Sequence, residues 1–271
     1  MLYINNCPCE QGEYWRQSDT ESIARNFIED RFNIFYPQFY YDGEKPNYVQ
    51  LEFQITTFII AILYKIFGYH YFLARIVPIM FFLGSSVYVY LIGKRYYGIE
   101  AGWFAAIIYS IMPMNIFYTR TIMPESAALF FFTGAFYYFI KWYDSEELRQ
   151  LFISAIFTTL SISQKTPTAF IGLAMIFLLI KKYRFKFLKK WELWAFAFIT
   201  LAPNIMYFLW SRGIAKFDFV NKIGLLHIIP NSAKAFLQKG NYKLAIIEIA
   251  AAISLGILPI VIIGILDIEW D

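Results

Sequence analysis

The chain has 271 residues, of which 59% are hydrophobic and only 16% are charged. Soluble domains carry about 45–50% apolar and about 25% charged residues, and here the apolar excess falls in long blocks, which indicates a membrane protein. The net charge of +4 is not gathered on a face rich in Lys and Arg, so the sequence predicts no nucleic-acid partner. Its two histidines and two cysteines are too few for a zinc centre or a disulfide framework.

The first polar stretch, GEYWRQSDTESIARNF, runs from Gly12 to Phe27. Its SDTE tetrapeptide has the form of a capping box and predicts a helix that begins at Asp19, with Ser18 as its cap. Ile23 and Phe27 give this helix an apolar stripe, which predicts a short amphipathic helix on the membrane surface. An ionised Asp19 in the first turn could accept a proton from an attacking hydroxyl or amine. The alternative is that Asp19 only helps to start the helix.

Residues 50–67, QLEFQITTFIIAILYKIF, form either a membrane span or an interfacial helix. Basic connections face the cytoplasm, and the strongest basic signal is KKYRFKFLKK at residues 181–190. Successive spans cross the membrane in alternating directions, so counting back from this cytoplasmic connection places residue 70 on the outer side of the membrane. If 50–67 crossed the membrane, residues 1–48, with eight acids against four bases, would be cytoplasmic. We therefore predict that 50–67 is an interfacial helix on the outer surface.

The rest of the chain predicts an all-α, polytopic transmembrane helical bundle. Residues 1–70 would form an extracytoplasmic first loop with interfacial helices, and residues 71–271 the bundle, with an outer loop at about 212–242. Seven membrane spans are predicted from the apolar blocks: 71–93, 99–117, 124–142, 148–163, 167–181, 191–211 and 243–266.

Charged residues mark the predicted outer ends of several spans. YTRTIMPESAALF, from Tyr118 to Phe130, places Arg120 and Glu125 at a membrane boundary, where charges are costly unless they are solvated or functional. Simple interfacial snorkelling is the alternative there. SQKTPT places Lys165 outside, against the positive-inside bias, and a lysine is well suited to bind phosphate.

The alternation of spans places Asp19, Glu52, Glu125 and Lys165 on one side of the membrane. Carboxylates beside cations at a bilayer surface suit an anionic, lipid-linked substrate. The carboxylates could also hold a hard divalent cation, which leaves the cofactor undetermined. A soluble nucleotide donor is disfavoured because the sequence has no Gly-rich phosphate loop.

These motifs resemble the integral-membrane GT-C glycosyltransferases, which include dolichyl-phosphate-mannose–protein mannosyltransferases and the aminoarabinose transferase acting on lipid A. EYWRQSDTESIARNF is similar to the start of their first outer loop. Later motifs of the family resemble four further stretches of this chain: LEFQ, AILYKIFG, GKRYYG and IMPMNIFYTRTIMPES. The resemblance covers roughly residues 12–182. Relatives have a spanning helix before the first outer loop and continue well beyond residue 271, so we expect a chain that is truncated at both ends.

The resemblance implies an inverting transfer of a sugar from a polyprenyl-phosphate donor to a glycan, lipid or protein acceptor. The reaction would occur on the extracytoplasmic side of a multi-pass protein in the cell membrane. Asp19 matches the family's catalytic aspartate and Glu125 its second acidic position, while Glu52 matches a glutamate that contacts a metal or the donor phosphate. Three basic residues are expected to bind the donor phosphate: Arg16, Arg120 and Lys165.

Two other functions remain open from the residues alone. A transporter or flippase for lipid-linked saccharides would place its charges in mid-span or at broken helices. A non-catalytic membrane subunit would use the polar N-terminal region only to bind a partner.

Overall fold

The computed structural model describes residues 13–40 and 44–218, and these are almost entirely helical, which confirms the predicted all-α class. Two very short strands, β1 and β2, are the one departure within that part of the chain. The elements in chain order are α1 Tyr14–Glu29, β1 Val49–Gln50, α2 Ile55–Phe67, α3 Tyr71–Ile111, α4 Pro113–Arg120, α5 Glu125–Ser145, α6 Leu148–Gln164, a 3₁₀ helix Thr166–Phe170, α7 Ile171–Tyr183, a 3₁₀ helix Arg184–Lys189, α8 Trp191–Ile214 and β2 Phe217–Asp218.

Helix α3 is a hairpin of two antiparallel arms that reverses at Gly98, whose φ of 92° suits a residue without a Cβ. The arms pack closely because Gly93 and Gly102 face each other, and a Cβ on Gly93 would lie 3.0 Å from the Gly102 Cα. Further along, the Ser85 and Tyr109 hydroxyls are 2.9 Å apart. The predicted helices 71–93 and 99–117 correspond to these arms, and α4 continues the second one after a break at Met112.

Helix α5 packs on both α3 and α6, and α7 packs on α5. Small polar residues of α6 join it to α5, because Ser154 donates to the Ala135 carbonyl at 2.8 Å and Ser161 to the Ala128 carbonyl at 3.1 Å. The predicted helix 167–181 is observed as α7 preceded by the 3₁₀ helix. Apolar residues of α5, α6 and α7 share one buried cluster, which includes Phe139, Trp142, Leu151, Met175 and Leu179.

Within the described part, the α3 hairpin Tyr71–Ile111 and the helix Trp191–Ile214 each contain an apolar helical stretch long enough to cross a membrane. The second is α8, which corresponds to the predicted span 191–211. The predicted span 243–266 and the loop residues 219–242 lie outside the described residues. After α8, β2 pairs in parallel with β1, so that Val49 aligns with Phe217 and Gln50 with Asp218.

Helices α1 and α2 pack on each other and on the start of α3. The apolar stripe predicted for α1 is observed, but it does not face a membrane surface as expected: Ile23, Ala24 and Phe27 are buried in a cluster with Ile60 and Ala61 of α2. At about 1.5 Å per residue, the 13 residues of α2 span about 20 Å. That length is short of the ~30 Å hydrocarbon core, and it favours the prediction of an interfacial helix.

The predicted start of α1 at Asp19 is wrong. The helix begins at Tyr14, and Ser18 lies in its interior with its hydroxyl donating to the Tyr14 carbonyl at 2.9 Å. The reason is tertiary: Gln17 is fully buried against the turn before α5, which keeps the preceding turn helical. Asp19 therefore lies in the second turn, and the helix-terminus argument for its ionised form does not apply.

Substituting Gly102 with Ala should destabilise the α3 hairpin. The added Cβ would lie 2.8 Å from the Tyr90 carbonyl oxygen, so backbone must shift, at a cost of about 1–3 kcal/mol. The matched control is Gly172→Ala in α7, where an added Cβ meets no atom within 4 Å. Thermal unfolding of the detergent-solubilised protein should show a lower Tm for Gly102→Ala only. Equal Tm values for the two variants would refute the close packing.

Cysteine accessibility tests the membrane arrangement, in a background where Cys7 and Cys9 are replaced by Ser. Ser18, Thr166 and Ser145 are all exposed, and Ser145 ends α5 at the far end of the bundle from Thr166. A membrane-impermeant maleimide should label Ser18→Cys and Thr166→Cys in intact cells, and Ser145→Cys only after permeabilisation. Labelling of Ser18→Cys only after permeabilisation would mean that α2 crosses the bilayer.

Candidate functional site

The candidate site lies where α1, the segment before α2, the start of α5 and the end of α6 meet. Backbone contacts fix this arrangement, because the Phe53 amide donates to the Ser163 carbonyl at 2.9 Å. The Gln164 side-chain amide then donates to the Phe53 carbonyl at 2.6 Å. Since Glu52 precedes Phe53 and Lys165 follows Gln164, these bonds bring the two charged residues to the same place.

A second tie places α5 beside α1. The fully buried Gln17 accepts a hydrogen bond from the Ile122 amide at 3.1 Å, in the turn that leads into α5. Pro124 is the N-cap residue of that helix and Glu125 is its first residue. Glu125 is thereby held at the same end of the bundle as Arg16.

Four of the predicted site residues form one network, which we call the charge cluster: Arg16, Glu52, Glu125 and Lys165. The Arg16 guanidinium lies 2.7 Å from Glu52 Oε1, and Lys165 Nζ lies 2.8 Å from Glu125 Oε1. Lys165 Nζ is also 3.7 Å from Glu52 Oε1, so it bridges the two carboxylates. The side chains are between one fifth and one third exposed, which leaves the cluster reachable from solvent.

The electrostatics of the charge cluster couple its members. Burial alone opposes the charged form of Arg16, but the carboxylates of Glu52 and Glu125 outweigh it and raise the guanidinium pKa. Glu125 Oε2 is buried and has no hydrogen-bond partner among residues 13–40 and 44–218. An unpaired buried acceptor costs about 1–3 kcal/mol, so this oxygen is suited to receive a donor from a ligand.

Asp19 lies one turn after Arg16 on α1. Burial raises the pKa of the Asp19 carboxyl to about 6, and the positive charge of Arg16 acts in the opposite direction. The side chain is half-buried, and within the described part of the chain it accepts no hydrogen bond from another side chain. A carboxylate with this pKa is both ionised at neutral pH and basic enough to take a proton.

Arg120 is not brought into the charge cluster. It ends α4 with an exposed side chain that lies over the Phe117 ring, with the guanidinium carbon 6.0 Å from the ring centroid. Its carbonyl accepts a hydrogen bond from the buried Arg75 guanidinium at 2.6 Å. Arg120 therefore has a structural contact through its backbone, and no ion pair of the described region includes its side chain.

The arrangement around Glu52 does not fit a divalent cation. A hard cation prefers several oxygen ligands, yet the Glu52 carboxylate contacts two positively charged groups, those of Arg16 and Lys165. Within residues 13–40 and 44–218, no three His, Cys, Asp or Glu side chains are grouped so that they could hold a metal ion.

The sequence analysis missed the neutral residues that position the charges. Gln17 and Gln164 are fully buried, and each joins two chain segments far apart in sequence. Tyr207 of α8 donates to the Glu52 carbonyl at 3.4 Å. The Tyr118 hydroxyl lies near Glu125, and burial together with the charges of Glu13 and Glu125 raises its pKa. The sequence offered one hint of these positioning residues, a glutamine directly next to a charged residue: Gln17 follows Arg16, and Gln164 precedes Lys165.

A comparison with known families gives a match over the middle of the chain. The sequence model described as dolichyl-phosphate-mannose-protein mannosyltransferase matches residues 55–208, which is more than half of the chain. That range includes Glu125 and Lys165 but begins after Arg16, Asp19 and Glu52. No curated protein and no solved structure matches the chain.

A double-mutant cycle with Lys165→Met and Glu125→Gln tests the charge cluster. We expect a coupling of about 0.5–3 kcal/mol in the free energy of unfolding, because both side chains are mostly shielded from water. Lys45 and Asp30 form a more exposed pair at a similar distance and serve as the control cycle, with an expected coupling below about 1 kcal/mol. Unfolding would be followed by SDS titration in detergent. A smaller coupling for Lys165 and Glu125 than for the control would contradict the network.

Proposed function

The chain belongs to the dolichyl-phosphate-mannose–protein mannosyltransferase family, and on this basis we propose that it transfers a sugar from a polyprenyl-phosphate donor to a glycan, lipid or protein acceptor. At the level of the family it is a GT-C glycosyltransferase, and members of the family are membrane proteins. The observation that carries the finer proposal is the position of Asp19 one turn from a cluster that contains two cations. A base and an anion-binding site are the two parts such a transfer needs.

The donor phosphate binds beside Lys165 and Arg16. Both are cationic, and both are held by carboxylates at 2.7 to 2.8 Å, so they are oriented before the donor arrives. When the bond between the anomeric carbon and the phosphate oxygen breaks, the electron pair leaves with the phosphate. The preorganised cations stabilise this developing charge. This stabilisation matters more than protonation of the leaving oxygen by an acid, because phosphate is already a good leaving group.

Asp19 acts as the general base. The acceptor oxygen or nitrogen attacks the anomeric carbon from the face opposite the phosphate, which inverts the configuration, and its proton passes to the Asp19 carboxylate. Glu125 keeps Lys165 in place through one oxygen, and its unpaired Oε2 accepts a hydrogen bond from a sugar or acceptor hydroxyl. Arg120 has no part in this proposal because its side chain lies outside the charge cluster.

No step of this reaction needs a bound cation, since positive charge is supplied by Arg16 and Lys165. The proposal retains the predicted extracytoplasmic location of the site, which is supported by the acidic character of residues 1–48 and by the length of α2.

Replacing Asp19 with Asn should lower transfer by about 10²–10⁴-fold, the usual contribution of a general base. The measurement uses membranes that contain the full chain and radiolabelled polyprenyl-phosphate sugars, with label followed into glycan, lipid and protein. Asp30→Asn is the matched control, because Asp30 follows the same helix but pairs with Lys45. Transfer by Asp19→Asn at the level of Asp30→Asn would rule out the base.

The pH profile gives an independent test of the same role. The Asp19 carboxyl is mostly protonated below its pKa of about 6 and then cannot accept a proton, so the wild-type rate should rise with pH through about 6 and level off roughly one unit above it. The residual activity of Asp19→Asn should lack this rise. A wild-type profile that is flat between about pH 5 and about pH 7, roughly one unit each side of the pKa, would contradict the assignment.

A further inference from the structure

The connection between α7 and α8 carries a group of cations that the proposed reaction does not use. We call residues 181–190 the basic connection. Four of its basic side chains are exposed and form no ion pair or hydrogen bond within residues 13–40 and 44–218: Lys181, Arg184, Lys186 and Lys189.

The other two basic residues anchor this connection to the bundle. Glu146, the residue after α5, accepts from Lys182 at 3.1 Å, from Lys190 at 3.3 Å and from the Tyr183 hydroxyl at 2.6 Å. These hydrogen bonds, of which the one from Tyr183 has the largest effect, lower the pKa of Glu146 to about 2. Glu146 thus neutralises part of the positive charge and fixes the backbone, while the four exposed cations stay available.

The basic connection lies at the opposite end of the bundle from the charge cluster. Helix α5 begins at Glu125 in the charge cluster and ends at Ser145, next to Glu146. Its 21 residues span about 30 Å at 1.5 Å per residue. That is the thickness of a bilayer's hydrocarbon core, so in a bundle that spans a membrane the basic connection and the candidate site would lie at opposite surfaces.

Large apolar side chains flank the exposed cations. Phe185 is 76% exposed and Trp191 is 70% exposed, and Trp194 is held in place by a bond from its indole N–H to the Leu188 carbonyl at 2.9 Å. Tryptophan side chains of this kind favour the boundary between headgroups and acyl chains. The apolar surface continues along α8 through exposed Phe198, so it runs from the cations toward the membrane interior.

We propose that the basic connection is a docking site for anionic phospholipid headgroups of the membrane surface at that end of the bundle. The unpaired cations match the phosphate and carboxylate groups of such lipids, and the adjoining aromatic side chains match the start of their acyl chains. An acidic protein segment would satisfy the cations but would leave the aromatic side chains and the face of α8 without an apolar partner. The lipid is therefore the occupant that fits both halves of the surface.

The test is a titration of phosphatidylglycerol into the detergent-solubilised full chain, with bound lipid counted by native mass spectrometry. The variant replaces Lys181, Lys186 and Lys189 with Gln, and should bind phosphatidylglycerol at least tenfold more weakly, an order-of-magnitude expectation for three cations at an anionic surface. The charge-matched control replaces three basic residues elsewhere with Gln: Arg31, Lys65 and Arg212. It should bind like the wild type.

The other arms of the titration use phosphatidylcholine and soluble glycerol phosphate, and both should bind at least tenfold more weakly than phosphatidylglycerol to the wild type. Equal phosphatidylglycerol binding by the two triple variants would overturn the proposal, as would binding of phosphatidylcholine at the same strength. Glycerol phosphate bound as tightly as the lipid would show a site for soluble anions instead. Sugar transfer is not measured, so the outcome is independent of the proposed reaction.

Discussion

The bridge from Lys165 to the carboxylates of Glu125 and Glu52 is the contact on which the candidate site depends. It joins the end of α6 to the start of α5 and to the segment before α2, three parts of the chain that have no sequence proximity. In an apolar bundle an isolated charge is costly, and compensation by an opposite charge is what makes such residues tolerable. The same compensation orients Lys165 and Arg16, the two cations to which the proposed reaction assigns the donor phosphate.

The neutral hydrogen bonds around the bridge determine its geometry. Gln164 binds the backbone of Phe53, and Gln17 binds the backbone of Ile122, and both amides are fully buried. Buried amides must find partners, and backbone groups of irregular segments need partners as well. Each glutamine satisfies both needs in one contact, which fixes the position of the charged residue beside it.

The bundle is polar at both ends and apolar between them. At one end the charge cluster keeps an unpaired carboxylate oxygen and a half-buried Asp19, which suits the chemistry proposed there. At the other end Glu146 holds Lys182 and Lys190, while further cations remain exposed. Helix α5 connects the two ends over about the thickness of a bilayer.

Local sequence patterns predicted the helical class, the two arms of α3, the helices α5 to α8 and the apolar stripe of α1, because periodicity and length are local properties. The sequence also indicated that Glu52, Glu125 and Lys165 share a side, because charge bias along the chain is readable without a fold. Tertiary structure alone decided that α1 starts at Tyr14, since burial of Gln17 overrides the local capping signal. It alone decided that Arg16 enters the cluster while Arg120 stays outside, because side-chain convergence depends on how helices pack and not on their spacing in sequence.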